Sequence, residues 1–78
     1  MPRKPTSDKE RMRGVALGRR LSERRRTAKM TQGQVAAAAD MSTDTLRALE
    51  QGKSANPGVF LIVDLARELG VTVEELTK

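Results

Sequence analysis

The chain has 78 residues and a net charge of +5, with no cysteine, no histidine and a single aromatic residue. This length and composition allow one domain with a modest core and no disulfide, and they disfavour a protein that stacks RNA bases on aromatic side chains. Because the usual general bases, nucleophiles and metal ligands are missing, we expect no enzyme, no cofactor, no metal site and no small-molecule ligand.

The basic residues are concentrated at one end of the chain. Residues 1–29 contain eleven of the fifteen lysines and arginines and three acids, a charge of +8, whereas the rest carries four bases and seven acids. A basic end favours a polyanionic partner, although a solvated helix face that only aids solubility gives the same pattern. Residues 1–6 are polar and broken by proline, so we predict a flexible basic tail that either reaches along DNA or simply frays.

A long helix is predicted to follow this tail and to end at about Ala28. Ser7 and Glu10 have the spacing of a capping box at its start, and Leu17 and Leu21 form an apolar stripe along it. Its exposed arginines raise the positive potential, but the sequence does not assign them individually to DNA contacts.

Residues 31–52 have the pattern of two short helices joined by a tight turn. Thr31 and Gln34 form a capping box at the start of the first helix, and Ser42 is placed to cap the second. Asp40 tolerates left-handed backbone better than most residues, so we place the turn there. A glycine at the last position of the unit ends the second helix.

Apolar residues in both helices of this unit repeat at helical spacing. Ala36 and Ala37 are small enough to let a second helix approach closely, and Leu46 and Leu49 are predicted to point inward. Two short helices with a sharp turn are the arrangement with which helix-turn-helix proteins enter the DNA major groove.

The sequence resembles the helix-turn-helix family of the phage repressors and Cro proteins, of the xenobiotic-response-element type, over roughly residues 17–76. The resemblance implies a compact, all-α, five-helix domain of the lambda-repressor type for residues 7–78. One departure is Asp40, where the family usually has glycine. The residues that carry the resemblance are Arg25, Gln32, Ala36, Leu46, Leu49, the Glu50-x-Gly52 ending, Asn56-Pro57 and Leu69-Gly70-Val71.

Two charged residues border the predicted core stripes. Arg25 lies at the edge of the apolar face of the first helix, and Glu50 lies beside Leu49. We therefore expect a structural ion pair between Arg25 and Glu50, which the resemblance also implies. A local pair of Glu50 with Arg47 is the alternative.

Two further helices are predicted near the end of the chain. Asn56 caps the first of them, Pro57 occupies its first position and Gly70 stops it. Thr72 and Glu75 then form a capping box for a short last helix. The core face of the longer helix is predicted to consist of Val59, Ile62, Leu65, Ala66 and Leu69.

This longer helix carries more apolar residues than one stripe requires. Phe60, Leu61 and Val63 widen its apolar band, and Val73 of the last helix lies beside it in the predicted packing. We interpret these four residues as a homodimer contact. The alternative is that the long first helix covers Phe60 and Leu61 within one chain.

The outward face of the second helix of the unit is the candidate for reading bases. With the leucines inward, this face consists of Thr43, Asp44, Arg47 and Ala48, the positions to which the resemblance also assigns base reading. Arg47 suits guanine O6 and N7, Asp44 suits an amino group of cytosine or adenine, and the methyl groups of Thr43 and Ala48 suit thymine.

Contacts to DNA phosphates are expected around the ends of the same unit. Gln32 lies at a helix amino terminus, which favours an anion, and Lys53 and Ser54 follow the recognition helix. Thr45 is a further candidate for a phosphate contact. Such contacts position a protein on the duplex without specifying sequence.

The sequence thus predicts a regulator of transcription that binds double-stranded DNA in a sequence-specific manner. It would be a homodimeric, repressor-type protein that reads the major groove with helix 43–51, and phage repressors, restriction–modification controllers and antitoxins share this architecture. The alternative is an antitoxin-like protein-interaction module with weak or no DNA binding, which the acids Asp44 and Glu50 support. Since no signal peptide and no long apolar run is visible, we expect a cytoplasmic protein without membrane contact.

Overall fold

The computed structural model describes residues 8–54 and 57–78, and within these ranges it contains five α-helices and no strand. The predicted all-α, five-helix architecture is confirmed. The predicted tail at 1–6 and the predicted caps Ser7 and Asn56 lie outside the described residues. No helix in the described ranges has both the length and the apolar character needed to cross a bilayer. The helices are α1 (Asp8–Thr27), α2 (Gln32–Ala38), α3 (Thr43–Glu50), α4 (Val59–Leu69) and α5 (Val73–Thr77).

The side-chain caps predicted for the starts of α2, α3 and α5 are present. Thr31 Oγ1 accepts a hydrogen bond from the Gln34 amide at 3.1 Å, and Gln34 Oε1 accepts one from the Thr31 amide at 2.8 Å. Ser42 Oγ accepts from the Thr45 amide at 3.1 Å and so caps α3. A second reciprocal capping box, formed by Thr72 and Glu75, opens α5. Each cap satisfies amide groups that a helix leaves unpaired in its first turn.

Residues with a left-handed backbone conformation lie in the turns between the helices. Asp40 has φ 56° and turns the chain between α2 and α3, as predicted, and Gly52 (φ 74°) and Gly70 (φ 69°) end α3 and α4. The sequence did not indicate that Lys29 also adopts a positive φ, of 57°, after the end of α1. This conformation is uncommon outside glycine, asparagine and aspartate.

The start of α4 differs from the prediction. The helix begins at Val59 with Gly58 as its cap residue, so Pro57 precedes the helix and does not open it. Glycine is tolerated at a cap position but is a poor helix former, which explains why regular structure begins after it. Val59, predicted to be in the core, is 64% exposed because it lies in the first turn of α4, beyond the innermost core residues.

All five helices contribute buried residues to one core. α1 packs across α3 and α5, while α2 packs against α3 and α4. Ala36 is buried at a helix contact as predicted, but Ala37 is exposed, so the prediction for Ala37 was wrong. The close approach occurs instead at Gly18 of α1, where the backbone of α3 leaves no room for a side chain. The largest fully buried side chains are Leu21, Val35, Leu46, Leu65 and Leu76.

Candidate nucleic-acid interface

Helix α3 is anchored in the core by one face and presents the other face outward. The side chains of Leu46 and Leu49 are buried. On the other side of α3, Asp44 and Arg47 are exposed, and Thr43 and Ala48 are half-buried. The four residues predicted to read bases therefore lie on one side of a helix whose position is held from behind by buried leucines.

Two of these four residues contact each other. Arg47 Nη1 donates to Asp44 Oδ1 at 3.0 Å, and the two side chains are 51% and 90% exposed. An ion pair this open to water contributes little to stability, so it can be exchanged for contacts with another molecule at small cost. The pair also leaves this face of α3 without net charge.

The carboxyl end of α3 is tied to α1 by a bidentate ion pair. Arg25 Nε donates to Glu50 Oε2 at 2.7 Å and Arg25 Nη2 donates to Glu50 Oε1 at 3.0 Å, while Nη1 donates to the carbonyl oxygen of Met30 at 3.0 Å. The side chains are only 13% and 6% exposed. The hydrogen bonds with Glu50 raise the pKa of the Arg25 guanidinium, so this group stays charged. Glu50 thus contacts Arg25 and not Arg47.

The four residues predicted to contact phosphate differ in how far they are already engaged. Gln32 Nε2 donates to Glu50 Oε1 at 3.2 Å, which directs its amide toward the ion pair. The Thr45 and Ser42 hydroxyl oxygens are 2.8 Å apart and share a hydrogen bond. Lys53 is exposed and Ser54 is half-buried, and both follow α3 in the loop after Gly52.

An exposed apolar surface lies at the start of α4. Phe60 is 81% exposed and Val59 lies next to it, so α1 does not cover Phe60. Leu61 and Val73 are half-buried and pack against the core, and Val63 is also half-buried. Sequence reasoning missed Val59 as part of this surface, because exposure in the first turn of a helix depends on where neighbouring helices end. It also did not single out Met12 and Val15 on α1, which are exposed.

The chain is similar to helix-turn-helix proteins in sequence and in structure. The sequence model of the helix-turn-helix domain family matches residues 16–78. The restriction-modification controller protein C.AhdI from Aeromonas hydrophila superposes with a TM-score of 0.77 at 27% identity, over 81% of this chain and 94% of that chain. The clp gene regulator ClgR from Corynebacterium glutamicum gives a TM-score of 0.77 at 26% identity, over 92% of this chain and 71% of that one.

A third structural neighbour is an enzyme that contains the same fold. The hydroxypropylphosphonic acid epoxidase from S. wedmorenis has a TM-score of 0.81 at 22% identity, and the match covers 87% of this chain but 36% of the epoxidase chain. The likeness is one of fold alone, over about a third of that enzyme. No curated protein matches the sequence.

Proposed function

Because the chain belongs to the helix-turn-helix domain family, we propose that it is a transcriptional regulator that binds double-stranded DNA in a sequence-specific manner, as a repressor-type homodimer. The observation that carries this proposal is the geometry of α3: leucines hold its inner face, and its outer face offers an exposed arginine and carboxylate. The regulators C.AhdI and ClgR share the fold and support the assignment. In this proposal residues 7–78 are the DNA-binding domain and residues 1–6 are a basic tail.

Base reading would come from the outer face of α3 in the major groove. Arg47 can donate two hydrogen bonds to guanine once it leaves Asp44, and Asp44 can then accept from the amino group of a neighbouring base. Thr43 and Ala48 offer methyl groups to thymine. The Asp44–Arg47 pair makes this face selective, since a neutral surface gains little from phosphates in general.

Phosphate contacts would surround the reading face. Lys53 and Ser54 follow α3 in the loop after Gly52, and Lys53 is exposed. Gln32 and Thr45 are further proposed phosphate contacts. A hydrogen bond to Glu50 orients the side chain of Gln32, and one with Ser42 orients that of Thr45. These contacts would fix the register of the protein on the duplex.

A titration against ionic strength tests DNA binding directly. The purified protein should bind duplex fragments selected from random DNA, and its affinity should fall steeply as salt rises because bound cations are released from the phosphates. Absence of binding at low ionic strength, or a flat response to salt, would reject the proposal.

A second candidate function is a protein-interaction module that keeps the fold without binding DNA. The neutral Asp44–Arg47 surface and exposed Phe60 favour it, because neither attracts a polyanion. The flat salt response described above is the result that this candidate predicts.

Arg47→Ala should lower the preference for one base position in each half-site by about 1–3 kcal/mol, because a bidentate contact to guanine is lost. The measurement is competition between the selected site and variants with single base changes. Arg67→Ala removes an exposed arginine from α4 and should leave the preference intact. Equal weakening on every sequence would instead assign Arg47 to a phosphate.

Phe60→Glu should weaken the homodimer about 100-fold, because a charge would be buried without a partner at the contact between the two copies. Sedimentation over a range of concentrations measures the change. In such a dimer the two recognition helices would lie about 34 Å apart, one turn of DNA. Met12→Glu, which also charges an exposed apolar residue, is the control. A wild-type chain that stays monomeric at all concentrations would contradict the homodimer.

A further inference from the structure

The arginines of α1 lie on two opposite flanks of the helix. At 3.6 residues per turn, Arg19 and Arg26 share one side with Val15, and we call this side the loop flank. Arg20 and Arg24 lie about 100–180° around the helix axis from these three residues, on a side that we call the α5 flank. The buried stripe of α1, with Gly14, Leu17, Gly18 and Leu21, separates the two flanks on the core side of the helix.

The loop flank lies against the segment that follows the recognition helix. A Cβ atom placed on Gly52 would lie 2.9 Å from Cα of Val15 and 3.0 Å from its Cγ2, so α1 touches the loop at this point. Arg19 is one helical turn from Val15 on the same flank and is exposed. Lys53 is the next residue after Gly52. The loop flank therefore continues the surface that begins at Lys53 and Ser54.

The α5 flank is balanced by acids. A groove between α1 and α5 is lined by equal numbers of basic and acidic residues, and Glu74 Oε2 of α5 lies 3.7 Å from Lys78 Nζ. A polyanion that approached this groove would meet carboxylates together with the arginines. The charged residues of the groove are Arg20, Glu23, Arg24, Glu74, Glu75 and Lys78.

The acids near the loop flank balance its arginines less completely. Two acids of α1 lie near this side: Asp8, at the far end, which is hydrogen-bonded to Arg11, and Glu23, which lies one turn from both Arg19 and Arg26 and also lines the groove toward α5. The surface around Val15 is lined by Arg11, Met12 and Arg19, without a carboxylate. One carboxylate, that of Glu23, therefore stands against the two arginines Arg19 and Arg26, and the remaining positive charge lies on the side of α1 that borders the loop proposed to bind phosphate.

We propose that the loop flank is a second phosphate-binding surface, on which Arg19 and Arg26 contact the DNA backbone beyond Lys53 and Ser54. The arginines of the α5 flank take no part in DNA binding. Arg19 and Arg26 are about 10 Å apart along α1, which corresponds to about three base-pair steps of B-DNA. This inference rests on the proposed DNA binding.

Adjacent arginines on the two flanks provide a matched test. Arg19→Ala and Arg26→Ala should each reduce the slope of log affinity against log salt by about 0.9, so that the affinity lost between 50 and 200 mM salt becomes about 3.5-fold smaller per contact. Arg20→Ala and Arg24→Ala remove the same charge from the same helix and should leave the slope unchanged. Arg19→Lys should retain the wild-type slope, because a phosphate contact needs only a point charge.

Three results have distinct meanings. Equal slope changes for both pairs of variants would overturn the inference, because they would indicate a general effect of net charge. Unchanged slopes for Arg19→Ala and Arg26→Ala, with salt-dependent binding by the wild type, would also overturn it and leave the proposed function standing. A wild type that ignores DNA would reject the proposed function itself. Circular dichroism of each variant verifies that it is folded.

Discussion

Gly18→Ala is expected to destabilise the fold by about 3 kcal/mol, although alanine normally favours a helix interior over glycine by about 1 kcal/mol. The added Cβ would lie 2.3 Å from the carbonyl oxygen of Leu49 and 2.7 Å from that of Glu50. Both are backbone atoms at the end of α3, so no side chain can rotate away to make room. α1 would have to move off α3, and the packing of Leu17 and Leu21 would be lost with it.

Thermal unfolding followed by circular dichroism measures this effect. For a domain of this size each 1 kcal/mol shifts Tm by about 4–8 °C, so the expected drop exceeds about 10 °C. Gly33→Ala is the matched control, because a Cβ there meets nothing closer than Thr31 Oγ1 at 3.9 Å. The control should be neutral or slightly stabilising. A Tm of Gly18→Ala at or above that of the wild type would contradict the close approach of α1 and α3.

The contrast between the two glycines illustrates which parts of the fold the sequence predicted. Helix ends were predictable because their signals involve residues a few positions apart: Thr31 with Gln34, and Asp40 at the turn. The role of Gly18 was not predictable, because nothing near it in the chain indicates that the end of α3 crosses there. For the same reason the exposure of Val59 was missed, since it depends on where the neighbouring helices end.

In the candidate site, too, features that depend on one helix were predictable from the sequence, and features that join separate elements were not. The outer face of α3 followed from the spacing of Leu46 and Leu49, which is a property of one helix. The hydrogen bond of Gln32 to Glu50 joins α2 to α3 and had no signal in the local sequence. The separation of the α1 arginines into two flanks required the positions of the loop after α3 and of α5. Helical spacing predicts the direction of each arginine around the axis of α1, but it does not predict which other segments of the chain lie beside that arginine.

Gly18 and Arg25 also lie on the same side of α1 and hold the same end of α3. Gly18 allows α1 to contact the carbonyl groups of Leu49 and Glu50 in α3. Two turns later along α1, Arg25 donates two hydrogen bonds to the carboxylate of Glu50. The orientation of the outer face of α3 therefore depends on two contacts at the carboxyl end of this helix. The exposed side chains of Asp44 and Arg47, which we propose to read bases, remain open to a partner.

Removing one partner of this ion pair should be the most damaging single change near the site. Arg25→Met keeps most of the side-chain volume but leaves the carboxylate of Glu50, which is 6% exposed, with the Gln32 amide as its remaining side-chain hydrogen bond among those described. Breaking a buried pair in this way costs about 3–5 kcal/mol, a large part of the roughly 4–12 kcal/mol that stabilises a domain of this length. The Tm of the variant should therefore fall by more than about 12 °C. Arg24→Met, on the exposed side of α1, should change stability by less than about 0.5 kcal/mol.

A double variant distinguishes a net stabilising pair from one that is merely costly to break. In Arg25→Met/Glu50→Leu both charges are gone and the space is filled by apolar groups, so most of the lost stability should return. Urea unfolding of the wild type, both single variants and the double variant completes the thermodynamic cycle. A coupling energy near zero would mean that solvent already reaches Glu50 and that the pair does not hold α3. Full recovery in the double variant would mean that the pair sets the geometry of this end of α3 and adds little net stability.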